Sequence, residues 1–424
     1  MPVRPANVLL ALILCAPPFA AAAAPPALPA EADPVLLRFA TLGDSREDPA
    51  TPGLSPQDRL WLQNSHALAR ILDEIRAAQP QLLFFNGDMI RGYEVLDAQQ
   101  PAVQLATPAG LPTAWSGYAH LAMEYAYWRG MVSTLLESGT YVVPVPGNHE
   151  MQNRLPGHGD EPTAPRLARL ANEQLWRANM GDLILDRSRL ASLGLPPLDW
   201  YSGEDARVAL ADPALAEQWP TSQRQLSYSF DLAGQHFVVL NTDAVGHDGE
   251  VPLQWLAADL EAAERERHVA HSFVFGHKPA YTYRFAAAAR EHGLSDLQPG
   301  GNRDRFWQLI EAHHASYYCG HEHIYHLEQP AQATGGSAWQ ILVGSGGSPF
   351  SAANPAVTGP TAHPETDLSY AWALVDIHRS GRVELQTHGF DRDFGPSRLL
   401  DRVSLAPSEA APPPPMTLPP HGQP

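Results

Sequence analysis

Cysteine is almost absent: the 424-residue chain holds two, Cys15 and Cys319. If the N-terminus is removed, as argued below, one thiol remains, which excludes an intramolecular disulfide and a thiolate metal cluster. Lysine is scarcer still, with Lys278 alone. Positive charge is short throughout, 28 Lys and Arg against 46 Asp and Glu, for a formal net charge of −18. Such a balance argues against a general binder of nucleic acid or anionic membrane, since those partners require a basic face to displace counterions. There is no Gly-x-Ser-x-Gly elbow, no Walker loop and no repeat of fixed period. Beyond the first residues no apolar run is long enough to span a bilayer.

What is present begins with an export signature. Arg4 precedes an apolar run from Val8 to Cys15, and a small-residue stretch, Phe19 to Ala24, offers A-x-A cleavage choices. That layout predicts a signal peptide over residues 1–24, the competing reading being an uncleaved anchor. Leu14 is the wrong residue ahead of Cys15 for lipidation. The expectation is a secreted or bacterial periplasmic protein with no membrane span after cleavage. Residues 25–34 form a Pro/Ala-rich linker, 35–405 one catalytic domain, and 406–424 a Pro-rich, charge-poor tail expected to be disordered. At 44% apolar the chain can bury a sizeable core.

Within the domain, strand and helix patterns alternate. Strands are expected over 35–42, 82–85, 141–145, 226–232, 235–240, 271–275, 315–319, 339–343, 370–377, 383–387 and 402–405. Helices are expected over 58–79, where Leu68, Ile71, Leu72 and Ile75 recur at helical spacing before Pro80, and over 120–136, 252–267 and 303–314. This order fits an α/β core with a second, more antiparallel sheet. Segments 151–225 and 283–302 break the rhythm and read as insertions over one face.

The polar motifs fall just after buried strands. Asp44 lies in Thr41-Leu-Gly-Asp-Ser-Arg46, Asp88 in Phe85-Asn-Gly-Asp-Met-Ile-Arg91, and Asn148 and His149 in Pro146-Gly-Asn-His-Glu150. His277 lies in Phe275-Gly-His-Lys-Pro279, and His321 and His323 in Cys319-Gly-His-Glu-His-Ile324. Sites in open α/β sheets form at the C-terminal edges of strands, so five strand ends can deliver these groups to one cleft. A Gly before each polar residue permits tight turns and close approach. Carboxylate, amide oxygen and imidazole together suit Mn, Fe or Zn better than Ca. A carboxylate bridging two such ions suits phosphoryl hydrolysis. Singly the motifs are weak, since Gly-Asp after a strand is commonly a turn and Gly-His a structural residue; their joint order carries the signal.

That order resembles the calcineurin-like metallophosphoesterases, which include the purple acid phosphatases, from about Val35 to about Phe350. Ile341-Leu-Val-Gly-Ser-Gly-Gly347 is similar to the Gly-rich turn that follows the family's Gly-x-His-x-His motif. The resemblance implies a four-layer sandwich of two mixed β-sheets flanked by helices, with a metal site at the C-terminal ends of the strands. It implies two divalent or trivalent transition-metal ions, the first held by Asp44 and His323, the second by Asn148, His277 and His321, with Asp88 bridging. Attack by a metal-bound hydroxide on a small phosphate-ester substrate would follow, with His149 as general acid or transition-state donor and Glu150 orienting its neighbours.

One departure stands out. The commonest family pattern has His two residues after the first Asp, and here that position is Arg46; the Tyr that purple acid phosphatases use instead is here Arg91. Water, or a residue such as His66 or Tyr93, could fill the coordination position, or the first ion could bind weakly. Arg46, and after it Arg91, is expected to contact substrate phosphate, the alternative being a salt bridge. A phosphomonoesterase is the favoured activity. A phosphodiesterase or nucleotidase is the nearest alternative, and a non-catalytic metal- or phosphate-binding protein with a decayed first site a more distant one. Tyr125, Tyr127 and Trp128 read as core, Cys319 as a buried apolar residue, and His313, His314 and His363 as non-ligands.

Overall fold

Leu82–Phe85 and Tyr141–Pro144 are buried at every position, which short strands achieve only where both faces of their sheet are covered. The computed structural model describes residues 33–48, 51–92, 113–152, 164–184, 186, 188, 199–200, 212–265, 269–283, 293–295, 300–351 and 367–405. The expected signal peptide, most of the linker, the Pro-rich tail, Tyr93, His363 and much of both expected insertions lie outside the described residues.

The strands are β1 (Val35–Leu42), β2 (Leu82–Phe85), β3 (Tyr141–Pro144), β4 (Asp199–Trp200), β5 (Tyr228–Leu232), β6 (Gln235–Val239), β7 (Asp243–Ala244), β8 (His247–Asp248), β9 (Ser272–Phe275), β10 (Ser316–Cys319), β11 (Tyr325–Glu328), β12 (Gln340–Val343), β13 (Tyr370–His378), β14 (Val383–Phe390) and β15 (Arg398–Ser404). One sheet runs β15-β14-β13-β1-β2-β3, the other β11-β12-β10-β9-β6-β5-β4, and β7 and β8 pair by themselves. β1, β2 and β3 are mutually parallel, as are β6, β9, β10 and β12, while the outer strands are antiparallel. Both sheets are therefore mixed, with helices outside, as the family resemblance implies.

Alternation along the strands dictates how the sheets meet. In β6 and β9, Phe237, Val239, Phe273 and Phe275 join the core shared with the first sheet. Val238 and Val274 point the other way, into a second core under helices Leu253–Arg265 and Asn302–Ala312. Aromatic rings lock the interface. Phe84 of β2 stacks on Phe275 of β9 at 3.7 Å, and Phe39 of β1 meets Phe84, Phe237, Phe273, Phe275 and Tyr318 edge-on at 5.2–5.8 Å. Tyr125, Trp128 and Cys319 are buried, as expected of core residues. No described helix is long and apolar enough to cross a membrane.

Three expectations change in detail. The helix expected over 58–79 is two helices, Pro56–Trp61 and Ser65–Ala78. Leu62 turns left-handed (φ 51°), and the Asn64 side chain caps the second helix by accepting from the Ala67 N–H at 3.1 Å. The break turns Gln63 inward, where its side chain accepts from the Ser45 hydroxyl at 2.9 Å and donates to the Met89 carbonyl, so it ties two site loops together. The segment read as an insertion, 151–225, contains the helix Ala164–Met180 and strand β4, which extends the second sheet on β5. β11 was not expected, and β15 begins four residues before the expected 402. Cutting Phe39 to Ala removes the ring common to four inter-sheet contacts and should destabilise the protein by about 3–5 kcal/mol. Urea unfolding measures this; a loss under about 1 kcal/mol would show that the sheets are not held through that ring.

Candidate metal centre

Five parallel strands, β1, β2, β3, β9 and β10, end within one region, and the chain turns sharply at each exit. Asp44, Asp88 and His321 adopt left-handed backbone, with φ of 59°, 53° and 73°. Asp and His tolerate that conformation better than most side chains, and strain of this kind concentrates at functional sites. The glycines before Asp88 and His321 are sterically required. A Cβ on Gly87, itself at φ 82°, would lie 2.6 Å from His277 Nδ1, and one on Gly320 would overlap the Asp44 carboxylate. The loops are stitched to one another: the Asp44 N–H donates to the Gly87 carbonyl at 2.9 Å, and the His321 N–H to Asp44 Oδ1 and Oδ2 at 3.1 and 3.0 Å.

Two ligand groups result. Asp88, His277 and His321 form one, Asp44, Asp88 and His323 the other, each with ligand atoms within 4.8 Å of one another. Asp88 belongs to both, and its two oxygens face opposite ways. Oδ1 lies 3.2 Å from His277 Nε2, and Oδ2 lies 3.3 Å from Arg46 Nε and 3.7 Å from His149 Nε2. Asn148 Oδ1 joins the group of His277 and His321, 2.8 Å from His277 Nε2 and 2.9 Å from His321 Nδ1.

The donor set fits a cation. His277 Nδ1–H donates to the Asn86 carbonyl at 2.7 Å, so its Nε2 presents a lone pair toward Asn148 Oδ1 and Asp88 Oδ1. His323 Nδ1–H donates to the Pro349 carbonyl at 2.6 Å, leaving Nε2 as the acceptor there too. Burial and the Arg46 charge push the His323 pKa down to about 3, so this imidazole is neutral, the form that ligates. Lone pairs converging on one point with no proton between them repel unless a positive charge sits among them. Burial, then the neighbouring Asp88 charge, raises the Asp44 pKa well above the carboxylate range.

Glu150 supports this centre from behind. Its buried carboxylate accepts backbone N–H bonds from Gly147, Asp88, Met89 and Ile90 at 2.8–3.2 Å, joining the turns after β2 and β3. Burial, with Asp88 nearby, raises its pKa to about 8. His149 N–H donates to Asp88 Oδ1 at 3.1 Å, and its Nδ1–H donates to the Arg91 carbonyl, which fixes the ring with Nε2 toward Asp88 Oδ2. The Arg91 N–H in turn donates to Glu124 at 2.8 Å.

The structure thus brings Asp44, Asp88, Asn148, His149, His277, His321, His323 and Arg46 together. His66 stacks on Phe394 at 4.0 Å and is used elsewhere. Sequence reasoning passed over three buried supports. Asp243 follows β6 and pairs with Lys278 at 2.6 Å, both fully buried, beside His277. Glu322, between the two histidines, accepts from the Tyr283 N–H at 2.9 and 3.0 Å. Gln63 is the third. Asp243 was findable, since it follows a buried strand as Asp44 and Asp88 do.

The chain belongs to the calcineurin-like phosphoesterase family, whose model matches residues 37–325. It is a metal-dependent hydrolase of phosphoric esters, and membership implies a two-ion centre. Among curated proteins none matches in sequence. Among solved structures, a dimetal phosphatase of Danio rerio is similar at 13% identity over 88% of this chain and 99% of that one, with a TM-score of 0.44.

Because burial and mutual repulsion keep protons on Asp44 and Glu150, an entering ion must displace protons held above the ordinary carboxylate range. Metal affinity should therefore rise as pH increases toward about 8, where the Glu150 carboxyl gives up its proton, with proton release on binding. Calorimetry in buffers of different ionisation enthalpy reads both, and pH-independent affinity without proton release would contradict the electrostatic picture.

Proposed function

We propose that this protein is a phosphomonoesterase acting outside the cytoplasm, with Mn, Fe or Zn as its ions. In this reading Asp44 and His323 hold the first ion, Asn148, His277 and His321 the second, and Asp88 bridges. The carrying observation is that Asp88 belongs to both ligand groups, with its Oδ1 beside His277 and its Oδ2 beside Arg46. The ions, when bound, supply an activated water and neutralise charge developing on the phosphoryl oxygens.

The chain's own groups do the rest. Glu150 and the backbone bonds to it hold Asp88 and the Asn148–His149 turn in register, so the reacting groups need not reorganise. His149, its Nδ1 anchored on the Arg91 carbonyl, offers Nε2–H in its imidazolium form to the departing ester oxygen. Arg46, beside Asp88 Oδ2, is our first candidate to engage phosphate oxygens, and Arg91, whose backbone carbonyl meets the His149 ring, is the second. A monoester dianion presents more charge and more terminal oxygens to a guanidinium than a diester, which supports the monoesterase reading. Export is inferred from the signal-like first 24 residues.

Hydrolysis of chromogenic phosphate mono- and diesters, with Mn²⁺, Fe²⁺ or Zn²⁺ and a chelated control, tests this reading. Chelator-sensitive turnover with the monoester preferred is expected, whereas preference for the diester would overturn the monoesterase assignment. Asp88→Asn should lower kcat by at least about 10²-fold, from the usual size of metal and electrostatic contributions. A near-wild-type rate would remove Asp88 from the bridging position.

A further inference from the structure

Arg46 stands inside the first ligand group. Its Nε lies 3.3 Å from Asp88 Oδ2 and one terminal nitrogen 3.2 Å from His323 Nε2, two of the atoms assigned to the first ion. The residue is set there by its backbone. The Arg46 carbonyl accepts from the Ser348 hydroxyl at 2.7 Å, the Arg46 N–H donates to the Asp88 carbonyl at 3.4 Å, and the residue forms an isolated bridge with Gln63. Its side chain is 12% exposed, so the charge is not merely resting on the surface. His323 has one lone pair to give at Nε2, because Nδ1–H is committed to the Pro349 carbonyl. That lone pair cannot serve a guanidinium N–H and a metal ion at once. The two cations would also repel each other within a few ångströms in a buried site.

We propose that Arg46 is a tethered cation that competes with the first metal ion for His323 and Asp88, so that the two sites fill in order. The other group, of which the guanidinium touches only the shared Asp88 in these contacts and not Asn148, His277 or His321, fills first and tightly. The first group accepts its ion only when Arg46 turns away, and the displaced guanidinium is then available to phosphate. The proposal rests on the metal-centre reading above and goes beyond it by ranking the two sites and naming what sets the rank.

The test is stepwise Mn²⁺ binding to chelator-stripped full-length protein, by equilibrium dialysis with elemental analysis. Wild type should bind one ion tightly and a second at least about 100-fold more weakly, in line with a competing buried charge pair. Arg46→Met and Arg46→Gln, both neutral and of comparable reach, should tighten the weaker step about 10-fold or more and leave the tight step within about 2-fold. Gain of affinity is not an outcome that damage to the fold produces, and either variant alone suffices. Equal affinities for both ions in wild type, or an unchanged or weakened second step in both variants, would overturn the competition. Binding of no ion by wild type would instead overturn the metal-centre reading, and the ranking with it.

Discussion

Two carboxylates, Asp44 and Asp88, are buried side by side at the ends of adjacent parallel strands, and much of the surrounding structure answers to that placement. Buried like charges are tolerable only with compensation. Backbone N–H groups of His321 and His149 supply part of it, and Arg46 supplies more. The Nδ1 atoms of His277 and His323 are turned onto backbone carbonyls, which leaves each Nε2 toward the cluster, where a metal ion would complete the balance. The same demand accounts for left-handed backbone at both aspartates and for glycines whose hydrogen faces a ligand where a methyl group would collide with it.

The sandwich makes this cluster affordable. The ligand-bearing loops after β1, β2, β9 and β10 leave strands whose inner side chains are locked in the aromatic interface, so they inherit positions fixed by Phe39, Phe84, Phe275 and Tyr318. Rigid strands then permit a set of ligands within 4.8 Å to be assembled from residues as distant in sequence as Asp44 and His323. Gln63 and Glu150 do the local bracing, one across the loops after β1 and β2, the other across those after β2 and β3.

How far the chain could be read without coordinates follows from the same physics. Apolar runs such as Leu82–Phe85 announce buried strands, and a polar residue two to four positions past each is conspicuous because little else there is polar. That pattern carried Asp44, Asp88, Asn148, His277, His321 and His323 into one place, and the structure brings them together. What stayed illegible depends on tertiary partners. The break at Leu62 rests on an Asn64 cap and a Gln63 anchor that local periodicity does not register. β4 and β11 exist because they pair with β5 and β12, and Tyr325–Glu328, half of it charged or imidazole, has little strand character of its own. Arg46 was visible as a departure from a pattern, but only the geometry sets its guanidinium against His323 and Asp88.

On the proposed reading Asp88 would lie between two ion sites of unequal availability. Anomalous diffraction from crystals soaked at increasing Mn²⁺ tests it most directly. The account predicts a first peak against His277, His321 and Asp88 Oδ1, then a second about 3.5–4 Å away against Asp44, His323 and Asp88 Oδ2, with Arg46 turned out of that group. A peak that does not touch Asp88, or two peaks of equal height at the lowest Mn²⁺ with Arg46 still on His323, would contradict it.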